Sequence, residues 1–228
     1  MTTVKRTARL TGVAYLGLAI SGMLSYLLVR QQLYVPDDAA ETAARLVAHE
    51  GLARFGLVLE LTVVLTQALA ALWFFRLFRR VDAFAAGAIT VFGTVNAVMI
   101  LVATMCSATA LDVALADAAA GGTGQAATTQ LMHDLNSAAW NAGGLFFGLW
   151  LIPMGWLALR SGYMPRPLGW VLIVGGFGYV VSTYLAYVAP GLSGVGYALT
   201  VPATIGELWM VGYLLVKGVR SDAAVAEV

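Results

Sequence analysis

Six stretches of this chain stay apolar for about twenty residues or more, and that length constrains the fold more than any motif. They run roughly from Leu10 to Val29, Phe55 to Phe75, Phe84 to Leu111, Leu135 to Leu159, Leu168 to Val188 and Tyr197 to Val216. A hydrocarbon core about 30 Å thick is crossed by about 20 helical residues rising 1.5 Å each. Backbone N–H and C=O groups find no water there, so an isolated apolar run of this length must pair them within a helix. Only 11% of the 228 residues are charged, against about 25% in a soluble domain. The expectation is an all-α polytopic membrane protein: one integral membrane domain over 1–228, a bundle of six transmembrane helices, and a short outer amphipathic helix between the first two. Lys5, Arg6 and Arg9 precede the first run, as they would in a signal peptide. A signal peptide's apolar region is only about 7–15 residues and ends at a small-residue cleavage site. The first run is longer and ends at Val29-Arg30, so it reads as a retained helix.

The loops set an expected orientation. Suppose the N-terminus, the loops after spans two and four, and the C-terminus share one side. That side then holds Lys5, Arg6, Arg9, Arg76, Arg79, Arg80, Arg160, Arg166, Lys217 and Arg220, ten of the thirteen Lys and Arg residues. The positive-inside rule makes both termini cytoplasmic. Trp73, Trp156 and Trp170 then fall near the inner interface, and Tyr184, Tyr187 and Tyr197 near the outer one, where amphipathic rings concentrate.

Several classes of function are disfavoured. A net charge of +1 without a long basic run gives no footprint for nucleic acid. One cysteine, Cys106, permits neither an intrachain disulfide nor a cysteine zinc motif. His49 and His133 lie outside the most apolar runs, which argues against buried haem ligation. No Walker loop or dinucleotide fingerprint appears, and no Ser-His-Asp arrangement has a plausible context. No metal and no cofactor is expected.

Between spans one and two, "VPDDAAETAARLVAHEGLAR" reads as a short helix with Asp38 as its cap and Glu41 completing a capping box. Leu46 and Val47 give it an apolar edge. Between spans three and four, "ADAAAGGTGQAATTQ" reads as a mobile loop. Gly17, Ser21 and Ser25 share one face of span one, as do Gly144 and Gly148 in span four. Such faces let helix backbones approach closely.

The candidate functional residues are the polar groups inside the spans. Glu207 lies near the middle of span six, and Glu60 about five residues into span two, with Gln67 one heptad further on nearly the same face. Asn96 and Thr94 are near the middle of span three. His133, Asn136 and Trp140 form a stripe at the start of span four, with Asn141 beside it, and Thr200 and Thr204 share the Glu207 face. A charge at bilayer centre costs at least about 2.5–3.5 kcal/mol. No Lys or Arg lies deep in a span, and Arg54, the nearest to Glu60, points elsewhere. Each carboxyl is therefore expected to be protonated or hydrogen-bonded, able to act as a general acid or as polar glue between helices. Pro202 and Pro153 interrupt the backbone hydrogen bonding of spans six and four.

The segment "GGLFFGLWLIPMGWLALRSGYMPRPLGWVLIVGGFGYVV", with "ARLTGVAYLGLAISGM" before it and "TIGELWMVGYLLVKG" after it, resembles a bacterial multi-pass membrane family called domain of unknown function 4386. The most specific pieces are Arg160 to Gly169, "RSGYMPRPLG", and the ending from Gly206-Glu207 to Lys217-Gly218. The resemblance spans nearly the whole chain. It implies a six-helix bundle in a bacterial cytoplasmic membrane and no established reaction. The family often has Asp where Glu60 stands and His where Trp150 stands.

Three functions are compatible with these residues. The first is a site in the outer half of the bundle with Glu60 and Glu207 as acid–base residues. Gln67, Asn96, Asn136, Trp140, Asn141 and Thr204 would line it. Its ligand would be a lipophilic or cationic small molecule drawn from the bilayer, handled by acid–base chemistry in the style of small membrane terpene cyclases, by analogy only. Trp140 and Trp209 would offer their faces to positive charge. The second is a proton-coupled carrier, although no internal repeat of the transporter kind is visible. The third is an accessory subunit whose acids only join helices. Convergence of the two acids on one cavity separates the active functions from the third.

Overall fold

A computed structural model describes residues 3–220, and among these it is helical with no strand. The helices are α1 (Thr3–Leu24), prolonged by a π-helical turn (Ser25–Arg30) and by α2 (Gln31–Leu33), then α3 (Ala39–Ala48), α4 (Glu50–Phe78), α5 (Ala83–Ala119), α6 (Ala126–Ser161), α7 (Arg166–Val188) and α8 (Ser193–Val216). Six segments are long and apolar enough to cross a membrane: Thr3–Leu33, Glu50–Phe78, Ala83–Ala119, Ala126–Ser161, Arg166–Val188 and Pro190–Val216. The fold is the expected all-α, multi-pass membrane architecture. The helices overrun the apolar runs at several ends, because backbone pairing continues past the point where hydropathy falls. α6 and α8 remain helical through Pro153 and Pro202.

The short helix α3 forms as expected, with one difference. Asp38 Oδ1 accepts from the Glu41 N–H at 2.9 Å, which satisfies an orphan donor of the first turn. The reciprocal half of the box does not form. Glu41 instead takes Arg45 Nε at 2.7 Å, one turn on. Removing the cap in Asp38→Ala is expected to cost about 1 kcal/mol, read as faster hydrogen exchange in the first turn of α3.

The small-residue stretch between α5 and α6 is mostly helix, not the expected mobile loop. Helix runs to Ala119 and resumes at Ala126. Asp117 Oδ1 closes the gap by accepting from Thr123 N at 2.7 Å and Thr123 Oγ1 at 2.6 Å. Gly121, Gly122 and Gly124 have φ of 84°, 79° and 94°, a region open to glycine at no steric cost.

The chain divides into two compact units. One takes its described residues from Met1–Gly17, Thr66–Ala97 and Asn141–Val228, the other from Leu18–Leu65 and Val98–Trp140. In the first unit, α6, α7 and α8 meet backbone to backbone. A Cβ on Gly148 would stand 2.7 Å from Gly176 O, and one on Gly155 would stand 2.5 Å from Gly169 O. Gly175 lies against the Ala203 backbone and Gly178 against Leu199 O. The role expected of Gly148 in close helix packing is therefore seen. Aromatic rings fill the same unit. Tyr15, Phe74 and Trp150 meet edge to face with centroids 5.5–5.8 Å apart, and Phe147 bridges Trp150 and Tyr179 at 6.1 and 5.1 Å. In the second unit, Val29, Leu33, Leu46, Ala53, Leu59, Ala110, Leu111 and Ala114 form a continuous core. Leu46 thus docks α3 against the longer helices through the apolar edge read from its sequence.

Candidate polar site in the second unit

The second unit gathers polar side chains from four helices. The π-helical turn inserts one extra residue per turn, a feature that often marks functional positions. Arg30 closes that turn. Its Nη1 donates to Asn136 Oδ1 at 3.1 Å and its Nη2 to Ser137 Oγ at 2.6 Å. Asn136 is buried and anchors the group. Its Nδ2 donates to Ala103 O at 2.9 Å and to Ser107 Oγ at 2.8 Å. Tyr34 stacks on His133 with centroids 3.8 Å apart. Burial pushes the Tyr34 phenol up from its ordinary range, so the hydroxyl keeps its proton.

Glu60 faces this group. Thr104, Asn136 and Trp140 lie beside its carboxyl, within reach of the Arg30 charge. No salt bridge between Arg30 and Glu60 occurs; ion pairs form elsewhere, as in Arg45–Glu41, Arg54–Glu50 and Arg160–Asp82. Glu60 Oε2 is buried and has no hydrogen-bond partner among the described residues. Two of its three neighbours have their donors directed elsewhere. The Thr104 hydroxyl donates to Ile100 O at 2.9 Å, and the Asn136 amide is occupied as above. A buried acceptor left unmade costs about 1–3 kcal/mol, and more if charged. Few native groups persist that way without a bound partner or a functional reason.

The expectation that Glu60 has no cationic neighbour is therefore corrected. Arg54 does point elsewhere, pairing with Glu50 at 2.6 Å. Arg30 supplies the charge instead, because the first helix continues past the apolar run to Leu33 and carries Arg30 within it. Tyr34, Thr104, Ser107 and Ser137 were likewise absent from the sequence-derived site. The sequence signal for Ser137 was adjacency to Asn136; nothing comparable marked Thr104 or Ser107.

The other sequence-derived residues belong to the first unit. The Tyr15 hydroxyl donates to Glu207 Oε1, which joins α1 to α8. Gln67 is fully buried, and neither its Oε1 nor its Nε2 has a partner among the described residues. The same holds for Nε1 of the fully buried Trp150. Asn96 is buried, while Asn141 and Thr204 are exposed. Thr204 Oγ1 reaches only Thr200 O, at 3.5 Å within its own helix. Glu60, Asn136 and Trp140 thus come together with Arg30, whereas Glu207 has its own partner in a different unit.

The shallow pocket lined by Gln31, Gln32, Glu41, Ala44, Arg45, Ala48 and His49 contains none of the sequence-derived site residues.

An uncharacterized protein of Archaeoglobus fulgidus is 29% identical over 97 residues, covering 42% of this chain. The aligned region spans 57% of that protein's length. No solved structure matches. The family described as Domain of unknown function (DUF4386) matches residues 10–218, and the chain belongs to that family.

Proposed function

We propose that the protein binds a lipophilic small molecule in the membrane, with a hydrogen-bond donor of that molecule on Glu60. One observation carries this: Glu60 Oε2 is buried with no partner among the described residues, while the donors of Thr104 and Asn136 serve other acceptors. Arg30 balances the carboxylate, so a lone cation gains little from the site. A neutral or zwitterionic amphiphile with an O–H or N–H fits it better. Of the sequence-derived candidates, Glu60, Asn136 and Trp140 belong to this site, with the Trp140 side chain beside the Glu60 carboxyl. Glu60 also has the position to take up the donor's proton, so acid–base chemistry, if the ligand turns over, falls to Glu60. Glu207 serves as a polar joint between α1 and α8, because Tyr15 already occupies its carboxyl. The charge asymmetry of the loops supports an orientation with both termini cytoplasmic.

The test is photolabelling of purified protein with a diazirine-bearing long-chain alcohol. Labels are expected on peptides of the second unit, competed by unlabelled alcohol and reduced about tenfold in Glu60→Met, which removes one hydrogen bond to a charged group. Undiminished labelling in that variant, with an ordinary melting transition, would overturn the assignment.

A further inference from the structure

Opposite charges that meet inside a membrane protein ordinarily pair directly, because neither has water to turn to. Here they share a cluster without a salt bridge. Arg30 directs its terminal nitrogens to the neutral acceptors Asn136 Oδ1 and Ser137 Oγ, and Glu60 Oε2 is left unpartnered. Of the five guanidinium N–H donors, those two contacts occupy two. The side chain is only part-buried, three residues before the end of its span at Leu33, where headgroups lie. Exposed apolar residues flank the cluster: Tyr26, Leu27 and Leu28 precede Arg30, and Leu131 and Leu135 precede Ser137.

From this geometry we infer that the site takes a zwitterionic phospholipid headgroup, with phosphate on Arg30 and a primary ammonium on Glu60. A guanidinium fork suits phosphate. The shielded carboxylate oxygen takes a donor hydrogen, which the ethanolamine ammonium has and choline lacks, and a charged N–H donor suits it better than the neutral hydroxyls of a glycerol headgroup. The acyl chains lie on the flanking leucines. The inference rests on the assignment of Glu60 as a ligand acceptor and narrows it to one headgroup.

The experiment is native mass spectrometry of the full chain from micelles holding equal phosphatidylethanolamine, phosphatidylcholine and phosphatidylglycerol. Wild type is expected to retain the ethanolamine lipid about tenfold over the other two, the worth of one hydrogen bond to a charged group. Glu60→Gln should equalise the ethanolamine and choline lipids. Arg30→Gln should lose retention of all three, with Arg30→Lys intermediate. Equal retention by wild type, or preference for the glycerol lipid, overturns the inference without any variant having to fold. If alcohol photolabelling still depends on Glu60 in that event, only the headgroup assignment fails. If it does not, both fail.

Discussion

Gly148→Leu is expected to yield little folded protein. The Gly148 Cα faces the α7 backbone so closely that a Cβ would stand 2.7 Å from Gly176 O and 2.9 Å from Val180 N. Neither atom is the end of a flexible side chain, so α6 and α7 would have to separate along their length. Overpacking a core costs about 1–3 kcal/mol when side chains can yield. Pressing on two backbones exceeds that and consumes much of a total stability of about 5–15 kcal/mol. Gly212→Leu is the control. Gly212 is exposed, and a Cβ there meets nothing within 4 Å. Size-exclusion profiles and melting transitions in detergent should show aggregation or loss of the monodisperse peak for the first variant and little change for the second.

Arg30→Met is the other large effect. It removes the donor from Asn136 Oδ1 and Ser137 Oγ and leaves the Glu60 carboxyl without its counter-charge. Taking one partner from a buried charged network costs about 3–5 kcal/mol. Arg30 is only part-buried, so about 2–3 kcal/mol is the better expectation here. The loss should be coupled to Glu60. In the double variant with Glu60→Met, no carboxylate remains to be stranded, and part of the lost stability should return. Additivity of the two changes in a double-mutant cycle would show that Arg30 and Glu60 do not sense each other.

The spans were legible because hydropathy and length alone decide what can cross a bilayer. The stripe from His133 through Asn136 to Trp140 was legible as well, because a straight α-helix repeats its faces every 3.6 residues. Arg30 was not. The apolar run stops at Val29, so Arg30 reads as a loop residue, and the π-helical turn from Ser25 shifts the register by an amount that a regular helical wheel does not contain. The stretch from Ala116 to Gln130 misled in the opposite direction. Its glycines are real turn formers, but they are confined to a short connection locked by Asp117, and the alanines on either side extend the helices. Glu207 shows a third limit. Its depth was evident, but its partner Tyr15 is 192 positions away in sequence, and no local spacing announces such a pair.

Thermal stability with and without lipid distinguishes a Glu60 kept for a ligand from a Glu60 kept for the fold. The melting transition of Glu60→Met is measured against wild type in delipidated micelles and again with added phosphatidylethanolamine. Arg30 has neutral acceptors of its own, so removing a carboxyl whose buried Oε2 is unpartnered among the described residues should leave the delipidated transition unchanged or raise it. Added lipid should then raise the wild-type transition and leave the variant's where it was. A variant that melts several degrees lower without lipid, as loss of a stabilising contact of 1–2 kcal/mol would give, yet gains as much from lipid as wild type, would contradict the account.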